Sequence, residues 1–278
     1  MDVSWQHTSA LNSAERLEVL NLINRTETVL GREALDETRR RTVVHGWSGE
    51  HWLLREGAHI VQYALVSGQT HATLEMCGGG FNEELLTLAL QHHEVVDWWT
   101  RDREATLENV VRTLQLLHVN LPVPEVSVPA GATLRSFVAG HDEAGWLAQN
   151  NAAFADHPEQ GAWLLDDLEE RIAEPWFDPS GFLLLEIEGR IAASCWTKVH
   201  ELHPDRFGEI YVISVDPHFR GQRLGSVMLS QGLLSLRRRG VQRAILFVDS
   251  DNESAQRLYR DFGFTLDRED QLLRFERA

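Results

Sequence analysis

The sequence predicts an α/β (α+β) protein built from two tandem domains, each with a mainly antiparallel mixed sheet flanked by helices. A chain of 278 residues is long enough to form two hydrophobic cores. Three prolines between residues 120 and 129 predict an extended linker near the middle of the chain. Helix-like and strand-like segments follow in the same order on both sides of this linker, and residues 51–66 resemble residues 181–196. This likeness indicates a duplicated domain.

We therefore expect an N-terminal domain at residues 1–120, a linker at 121–130 and a C-terminal domain at 131–278. Hydrophobic periodicity and capping residues predict the elements of each domain. In the first, helices are expected at 14–24, 35–44, 83–92 and 104–117, and strands at 51–56, 60–66, 72–77 and 95–100. In the second, helices are expected at 142–154, 162–173, after 220–225 and at 253–262, and strands at 133–138, 182–187, 191–199, 209–215, 244–248 and 271–276.

Charge and composition exclude several classes of function. The formal net charge of −16 argues against a nucleic-acid partner, because phosphate binding needs clustered Lys and Arg. No apolar run approaches the ~20 residues that span a bilayer, and the polar start does not resemble a secretory signal. We therefore expect a cytoplasmic monomer with no membrane partner. Cys77 and Cys195 lie in apolar segments and are expected to be buried and reduced. His92 and His93 point in different directions on a predicted helix, so no metal site is expected.

Residues 215–226 are the most informative segment of the sequence. An apolar strand stops at Asp216 and Pro217, and a basic turn containing glycines then leads into an amphipathic helix. Unpaired backbone N–H groups and the positive end of the helix dipole make such a turn suitable for binding a diphosphate. Arg220 and Arg223 add positive charge. On these residues alone, an ordinary junction with solvated arginines remains the alternative.

Residues 249–264 form a second signature. Asp251 or Ser250 is expected to cap a helix, and Gly263 is expected to end it. Four residues recur at the spacing of one helical face: Ala255, Leu258, Tyr259 and Phe262. The Tyr259 side chain is therefore expected to point inward, toward the sheet. A core tyrosine whose hydroxyl bonds to a carbonyl remains the alternative.

The two signatures, in this order, resemble those of the GCN5-related N-acetyltransferase (GNAT) family, Arg/Gln-x-x-Gly-x-Gly/Ala followed by Asn-x-x-Ala/Ser-x-x-x-Tyr. The first motif here spans Arg220 to Gly225, with Arg223 where the family usually has glycine. The second matches in full at Asn252, Ala255 and Tyr259. The resemblance implies two tandem GNAT-like domains and acetyl-CoA as cosubstrate. It implies that acetyl-CoA is bound by Ile213, Ser214, Val215, Arg220, Gly221, Gln222, Arg223, Leu224, Gly225, Ser226, Asn252, Glu253, Ser254, Ala255, Gln256 and Arg257.

A closer resemblance covers most of the C-terminal half and is carried by residues 150–161, 176–179, 196–200 and 208–212. These segments are similar to those of mycothiol synthases, the tandem GNAT enzymes that acetylate the cysteinyl amine of cysteinyl-glucosaminyl-inositol. The resemblance implies direct transfer without an acyl-enzyme, with Glu209 as general base and Tyr259 as acid. It also implies that substrate is bound by Glu37, Glu159, Lys198, Glu209 and Phe247.

The N-terminal half resembles the family only in the order of its elements. Glycines occur at residues 78–80, but no arginine follows them, and Glu83 and Glu84 stand in the first turn of the next helix. Two carboxylates at that place would repel a diphosphate. We interpret this half as a structural domain that has lost CoA binding and forms one wall of the substrate cleft.

Two other functions stay open at this point. One is a GNAT acetyltransferase for a different small amine or for a protein N-terminus. The other is a catalytically silent acyl-CoA-binding protein, which Arg223 and the altered first half would favour.

Overall fold

The computed structural model describes residues 4–30, 33–100, 109–155, 157, 161–201 and 206–277. The chain divides into unit 1, which is Met1–Leu114 with Glu269–Ala278, and unit 2, which is Gln115–Arg268. Both units combine helices with a largely antiparallel arrangement of strands, so the predicted fold class is confirmed. The domain limits 1–120 and 131–278 stay a prediction.

Most of the predicted helices and strands are confirmed. The strands are β1 (Trp5–Thr8), β2 (Glu50–Glu56), β3 (His59–Gly68), β4 (His71–Cys77), β5 (Val95–Thr100), β6 (Val110–Asn120), β7 (Ala132–Ser136), β8 (Phe182–Ile187), β9 (Arg190–Glu201), β10 (Arg206–Val215), β11 (Arg243–Asp249) and β12 (Thr265–Glu276). The helices are α1 (Ser13–Leu30), α2 (Glu37–His45), α3 (Glu83–His92), α4 (Glu143–Ala153), α5 (Leu165–Ile172), α6 (Leu224–Arg238) and α7 (Glu253–Asp261). In the described part of the chain, no helix is both long and apolar enough to cross a membrane.

The strands of unit 1 follow the order β1-β2-β3-β4-β5-β12. β4 and β5 are parallel, because α3 connects them, and the other pairs are antiparallel. Leu85 and Ala89 of α3 pack with Trp52 and Trp98 on one face of the strands. α1 packs on the residues that point the other way, among them Tyr63. Unit 1 therefore has its own core on both faces of its strands.

The strands of unit 2 follow the order β6-β11-β10-β9-β8-β7. On one face, Trp146 of α4 packs edge-on against Trp196 of β9 and Phe182 of β8. On the other face, α6 and α7 bury Met228 and Tyr259 in a larger apolar cluster. The helices of unit 2 thus cover both faces, and the ends of β10 and β11 lie between the two layers.

The proline-rich segment packs on α6 of unit 2. Residues 122–129 have no regular secondary structure. The backbone of Val126 makes two hydrogen bonds to this helix, donating its N–H to Ser230 Oγ at 2.8 Å and accepting from Gln231 Nε2 at 3.0 Å. Side-chain partners satisfy backbone groups that a strand neighbour would otherwise satisfy, so an extended segment can lie on a helix.

The helix predicted at 104–117 is wrong. Residues 104–108 lie outside the described residues, and residues 110–117 of the predicted helix belong to β6. Leucines in this segment gave a spacing typical of a helix. The segment is also rich in β-branched residues, and its backbone pairs within the sheet, where Leu116 and Val119 are buried. Tertiary pairing therefore outweighs the local preference for a helix.

Gly232→Ala is expected to destabilise the protein by about 1–2 kcal/mol, although alanine normally stabilises a helix interior. A Cβ at this position of α6 would lie 2.4 Å from the Cys195 sulfur, so the core would be overpacked. Urea unfolding measures the change. Cys195→Ala removes the sulfur and is the control, because the double variant is expected to recover part of the loss. Equal or higher stability of the single variant would contradict this packing.

Candidate active site

β10 and β11 pair only at their beginnings. The parallel register comprises Gly208 opposite Ala244 and Glu209 opposite Ile245, and no pair of residues follows among the described residues. β10 nevertheless continues to Val215 and β11 to Asp249. One edge of the second half of β10 is therefore left without a strand partner.

A β-bulge lies in β10 at the point where its pairing with β11 ends. Ile210 is opposite Thr197 and Val212 is opposite Trp196, so Tyr211 is the extra residue. Before the bulge, Glu209 points to the face covered by α4. After the bulge, Val212 and Ser214 point to that face, and Ile213 and Val215 pack on the α6 side. The bulge therefore shifts the alternation by one residue, so that each side chain after it points to the opposite face from the one it would otherwise occupy.

The unpaired edge of β10 presents backbone groups of Ile213 and Val215. Asp216 donates its N–H to Ala192 O of β9 at 2.9 Å, which makes Val215 a residue of a non-hydrogen-bonded antiparallel pair. Its own N–H and C=O therefore point away from β9, and so do those of Ile213 two residues earlier. Ser214 points its backbone to β9, and its side chain joins a buried hydrogen-bond network with Gln149.

The turn before α6 carries a run of unpaired backbone donors. In the described part of the chain, no acceptor binds the N–H groups of residues 221–225, and α6 has no side-chain N-cap bond. Arg223 adopts the left-handed conformation, with φ 58° and ψ 21°, so it takes a backbone geometry that usually belongs to glycine. Ser226 donates to Arg223 O at 3.1 Å and closes the first turn. The run is an anion-binding arrangement at a helix N-terminus.

The turn, α7 and the end of β10 meet at Gly225. A Cβ at Gly225 would lie 3.4 Å from Leu258 of α7 and 3.9 Å from Val215 of β10. The side chain of Arg220 donates to Ala153 O at 3.2 Å, which links the turn to the end of α4. The turn before α6, the helix α7 and the end of β10 all carry residues predicted to bind acetyl-CoA. The structure brings these three segments together.

Asn252 is the N-cap of α7, so the predicted caps Asp251 and Ser250 are wrong. The Asn252 side chain accepts from the Ala255 N–H at 3.1 Å. Gln256 donates to Ser250 O at 2.8 Å and secures the loop before the helix. Gly263, with φ 83°, ends the helix as predicted, and Phe264 N–H reaches back to Tyr259 O. The other predicted coenzyme residues of this helix are exposed: Glu253, Ser254 and Arg257.

Tyr259 is buried at 6% exposure, as the helical spacing predicts. Among the described residues, none hydrogen-bonds to its hydroxyl group. Burial, with a smaller contribution from the nearby Cys195, raises the pKa of Tyr259 well above its usual range. The hydroxyl is therefore protonated at neutral pH and can donate a hydrogen bond.

Glu209 of β10 forms a close pair with His200 of β9. Glu209 Oε2 lies 2.6 Å from His200 Nε2, and the Glu209 side chain is 12% exposed. Burial raises the pKa of Glu209, but the hydrogen bond and charge of His200, together with the charge of Lys198, outweigh it and hold the pKa below its ordinary value. Glu209 is therefore a carboxylate at neutral pH.

Lys198 lies directly opposite Glu209 in the β9–β10 register. Its ammonium group is 4.8 Å from the ring centroid of Trp176 and 5.7 Å from that of Tyr211. These rings attract the cation through their negative faces and limit its access to water. Arg171 donates to the Tyr211 hydroxyl at 3.0 Å, which fixes that ring. The face therefore combines a carboxylate, an ammonium group and aromatic walls.

The remaining predicted substrate residues have different positions. Phe247 of β11 is 38% exposed. Glu159 lies outside the described residues. Glu37 is the first residue of α2 in unit 1.

Three residues of the site were not singled out from the sequence: His200, Trp176 and Tyr211. Each lies inside a segment that resembles mycothiol synthases, but their mutual contacts depend on strand register and on the bulge. A lone histidine two residues after a lysine carries no recognisable signal by itself.

Comparison with known proteins places these features in a family. The Acetyltransferase (GNAT) family model matches residues 147–264. A mycothiol acetyltransferase of Streptomyces griseus is 35% identical over 97% of this chain and 95% of its own. The chain belongs to the mycothiol acetyltransferase family. The family resemblance predicted from the sequence is confirmed.

Other members of the mycothiol acetyltransferase family match a shorter part of the chain. The protein of that name from Thermomonospora curvata is 50% identical over 58% of this chain and 55% of its own length. The chain spans about half the length of several such relatives. These matches show higher identity over a shorter length than the Streptomyces griseus match.

Two solved structures have the same fold. A GCN5-related N-acetyltransferase from Sphaerobacter thermophilus has a TM-score of 0.69, 20% identity, and covers 99% of this chain and 96% of its own. A tandem GNAT protein from the clavulanic acid biosynthesis pathway has a TM-score of 0.70, 12% identity, and covers 100% and 99%. At these identities the likeness concerns the fold alone.

His200→Phe is expected to raise the pKa of Glu209. The substitution keeps an aromatic ring against Phe207, whose centroid lies 4.6 Å from that of His200, but removes the hydrogen bond that opposes burial. The carboxyl group then takes up a proton at a higher pH than in the wild type. A ¹³C NMR titration of the side-chain carboxyl, assigned with Glu209→Gln, measures the midpoint.

The control for this titration is His141→Phe, which breaks a different histidine–carboxylate pair, that with Asp142 at 2.8 Å. It is expected to leave the Glu209 midpoint unchanged. An unchanged midpoint in His200→Phe as well would contradict the assigned cause of the lowered pKa.

Proposed function

We propose that this chain acetylates the cysteinyl amine of cysteinyl-glucosaminyl-inositol, using acetyl-CoA, to give mycothiol. The observation that carries the proposal is the run of unpaired N–H groups at residues 221–225, beside the unpaired edge of β10 and beside α7. The names of the relatives supply the substrate class. Cytoplasmic location and the monomeric state stay predictions.

The residues fit the coenzyme at its diphosphate end. Five backbone donors at the N-terminus of α6 match an anion with many acceptor oxygens. At Gly221 an added Cβ would meet nothing within 4 Å, so the turn is open on that side. Gln222 and Arg223 are exposed there and can add side-chain donors. The first turn of α7, which follows Asn252, is exposed and can contact the rest of the coenzyme.

Acetyl-CoA supplies the activated acetyl group, and the chain's own residues orient it and move protons. The unpaired edge at Ile213 and Val215 offers backbone N–H donors to an acyl oxygen and to an extended amide chain. Donors fixed in a sheet need no reorganisation during the reaction, so they stabilise a developing negative charge efficiently.

Glu209 is proposed as the base, directly or through water. An ordinary α-amine has a pKa near ~8, so roughly a tenth of it is neutral at pH 7. The nitrogen becomes far more acidic as it bonds to the acyl carbon, and the carboxylate then accepts its proton. His200 and Lys198 keep the carboxylate ionised before that moment.

Tyr259 is proposed as the acid. In water, proton transfer from a tyrosine of pKa ~10 to the thiolate of a thiol of pKa ~8.5 is unfavourable by about 2 kcal/mol. Burial raises the pKa of Tyr259, but the same apolar site also raises the pKa of the departing thiol, so the cost of the transfer stays near this value. The hydroxyl, which has no partner among the described residues, can hydrogen-bond to the sulfur and transfer the proton as the carbon–sulfur bond breaks.

The substrate is proposed to lie along the α4 face of β9 and β10. Glu209 and Lys198 lie opposite one another there, and a carboxylate and an ammonium group suit an amine and a sugar with several hydroxyl groups. Trp176 and Tyr211 provide flat apolar surfaces of the kind that pack on sugar rings. Glu159, Phe247 and Glu37 stay proposed substrate residues on the strength of the resemblance.

Glu209→Gln and Tyr259→Phe are each expected to lower kcat by about 10²–10⁴-fold. Each removes a proton-transfer group but leaves the turn at 221–225 intact, so acetyl-CoA affinity is expected to stay within about threefold. The assay follows acetylation of cysteinyl-glucosaminyl-inositol by mass spectrometry, and calorimetry measures coenzyme binding.

Glu201→Gln serves as the control for this assay, because Glu201 is 68% exposed and pairs only with Arg206 at the surface among the described residues. Its turnover is expected to equal that of the wild type. If both test variants keep wild-type turnover, the assigned roles are wrong. If the wild type binds acetyl-CoA but acetylates only other amines, the proposed substrate is wrong. If it binds acetyl-CoA and acetylates no amine, it is a silent acyl-CoA-binding protein.

Arg223→Gly and Arg223→Ala separate the charge of this residue from its backbone strain. Only glycine adopts a φ of 58° without strain, so the glycine variant is expected to be more stable than the alanine variant by about 1 kcal/mol in urea unfolding. Both variants keep the N–H group and lose the same charge, so their affinities for acetyl-CoA are expected to be equal. An alanine variant as stable as the glycine variant would argue against a strained turn.

A further inference from the structure

Three side chains from separate elements of unit 1 come together beside β1. His7 lies opposite Trp52 in the β1–β2 register, so the two side chains share one face. Glu50 lies two residues before Trp52 and shares this face too. α3 packs on the same face, in one apolar cluster with Trp52, and ends at His92.

These three side chains are close enough to bind one ion. One ligand atom from each of His7, Glu50 and His92 lies within 4.8 Å of the others. Glu50 Oε1 is 3.4 Å from His92 Nδ1, and the ring centroids of His7 and His92 are 5.1 Å apart. Donor atoms around tetrahedral zinc are about 3.4 Å apart. Since both histidines are exposed, small rotations of their side chains can bring their donors to that separation.

The carboxylate of Glu50 is already held in position by neighbouring donors. Trp52 Nε1 donates to Oε1 at 3.0 Å, and His93 Nε2 lies 2.7 Å from Oε2. The other ring nitrogen of His93 bonds to the carbonyl oxygen of Gln69. Hydrogen bonds of this kind orient a ligand before the metal arrives. Each carboxylate oxygen keeps a second lone pair for an ion.

We propose that His7, Glu50 and His92 form a zinc site. Two imidazole nitrogens and one carboxylate oxygen are a donor set that zinc takes in proteins, with a fourth position left for water. A cavity of ≈ 460 Å³, lined in part by Glu50, His92, His93 and Arg277, opens beside the triad and has room for that water. Magnesium and calcium prefer oxygen ligands, so the two histidines disfavour them.

The site would hold the edge strand of unit 1 in place. β1 has four residues and, among the described strands, pairs on one side only, with β2. Such a short edge strand has few hydrogen bonds of its own. A zinc ion joining His7 to Glu50 on β2 and His92 on α3 links three elements at one point. Zinc that binds the folded state alone stabilises it, and this role is independent of acetyl transfer.

The test uses the untagged full chain and Zn²⁺. Calorimetry and metal analysis after dialysis are expected to give one tightly bound zinc per chain. His7→Ala, His92→Ala and Glu50→Gln are each expected to weaken zinc binding at least ~10-fold, the lower end of the effect of losing a supporting group around a metal. At the same zinc concentration, zinc is also expected to raise the Tm of the wild type more than that of the three variants, while circular dichroism verifies that each variant is folded.

His59→Ala is the matched control, since His59 is an 86% exposed histidine of the same unit and lies outside the triad. It is expected to bind zinc like the wild type. Equal zinc binding by the wild type and all three triad variants would show adventitious binding elsewhere and overturn the proposal. Failure of the wild type to bind zinc more tightly than magnesium would overturn it as well.

Discussion

The candidate site depends on the early end of pairing between β10 and β11. Among the residues that the structure describes, two residue pairs join these strands, and the rest of β10 has a strand partner on one side only. An unpaired strand edge inside a sheet is costly unless another group takes its hydrogen bonds. The backbone of Ile213 and Val215 is therefore available to a bound chain, and the helix N-terminus at residues 221–225 lies close to the same strand end. The proposed coenzyme would therefore take up hydrogen bonds along this strand edge, as a neighbouring strand does elsewhere in the sheet.

The two proposed proton-transfer groups are buried alike but respond in opposite ways. No described residue donates a compensating hydrogen bond to Tyr259, so burial keeps the proton on its oxygen. Glu209 is also largely buried, but His200 and Lys198 supply a hydrogen bond and positive charge, so it loses its proton. One protein can thus hold an acid and a base ready at the same pH, because their neighbours differ. Tyr259 lies on the α6 side of the sheet and Glu209 on the α4 side.

Local sequence signals predicted what depends on local structure. The turn before α6, the helix that carries Tyr259 and its glycine end follow from glycine positions and helical spacing, and most strands follow from hydrophobic patterns. Features that depend on pairing between distant segments could not be predicted. His200 reaches Glu209 through strand register, β6 is a strand because of its neighbours, and His7, Glu50 and His92 meet although 85 residues separate the first from the last.

The bulge at Tyr211 makes the length of β10 as important as its composition. It sends Ser214 to the buried polar network with Gln149, and Ile213 and Val215 to the apolar cluster on the opposite face. Deletion of one residue here would exchange the two faces. The Ser214 hydroxyl would then enter the apolar cluster, and an aliphatic side chain would lie against the Gln149 amide, which would lose its hydrogen bond to Ser214. A single-codon deletion here would reverse the facing of every later residue of the strand. Across related sequences, alignment gaps should therefore be rarer between Glu209 and Val215 than amino-acid exchanges.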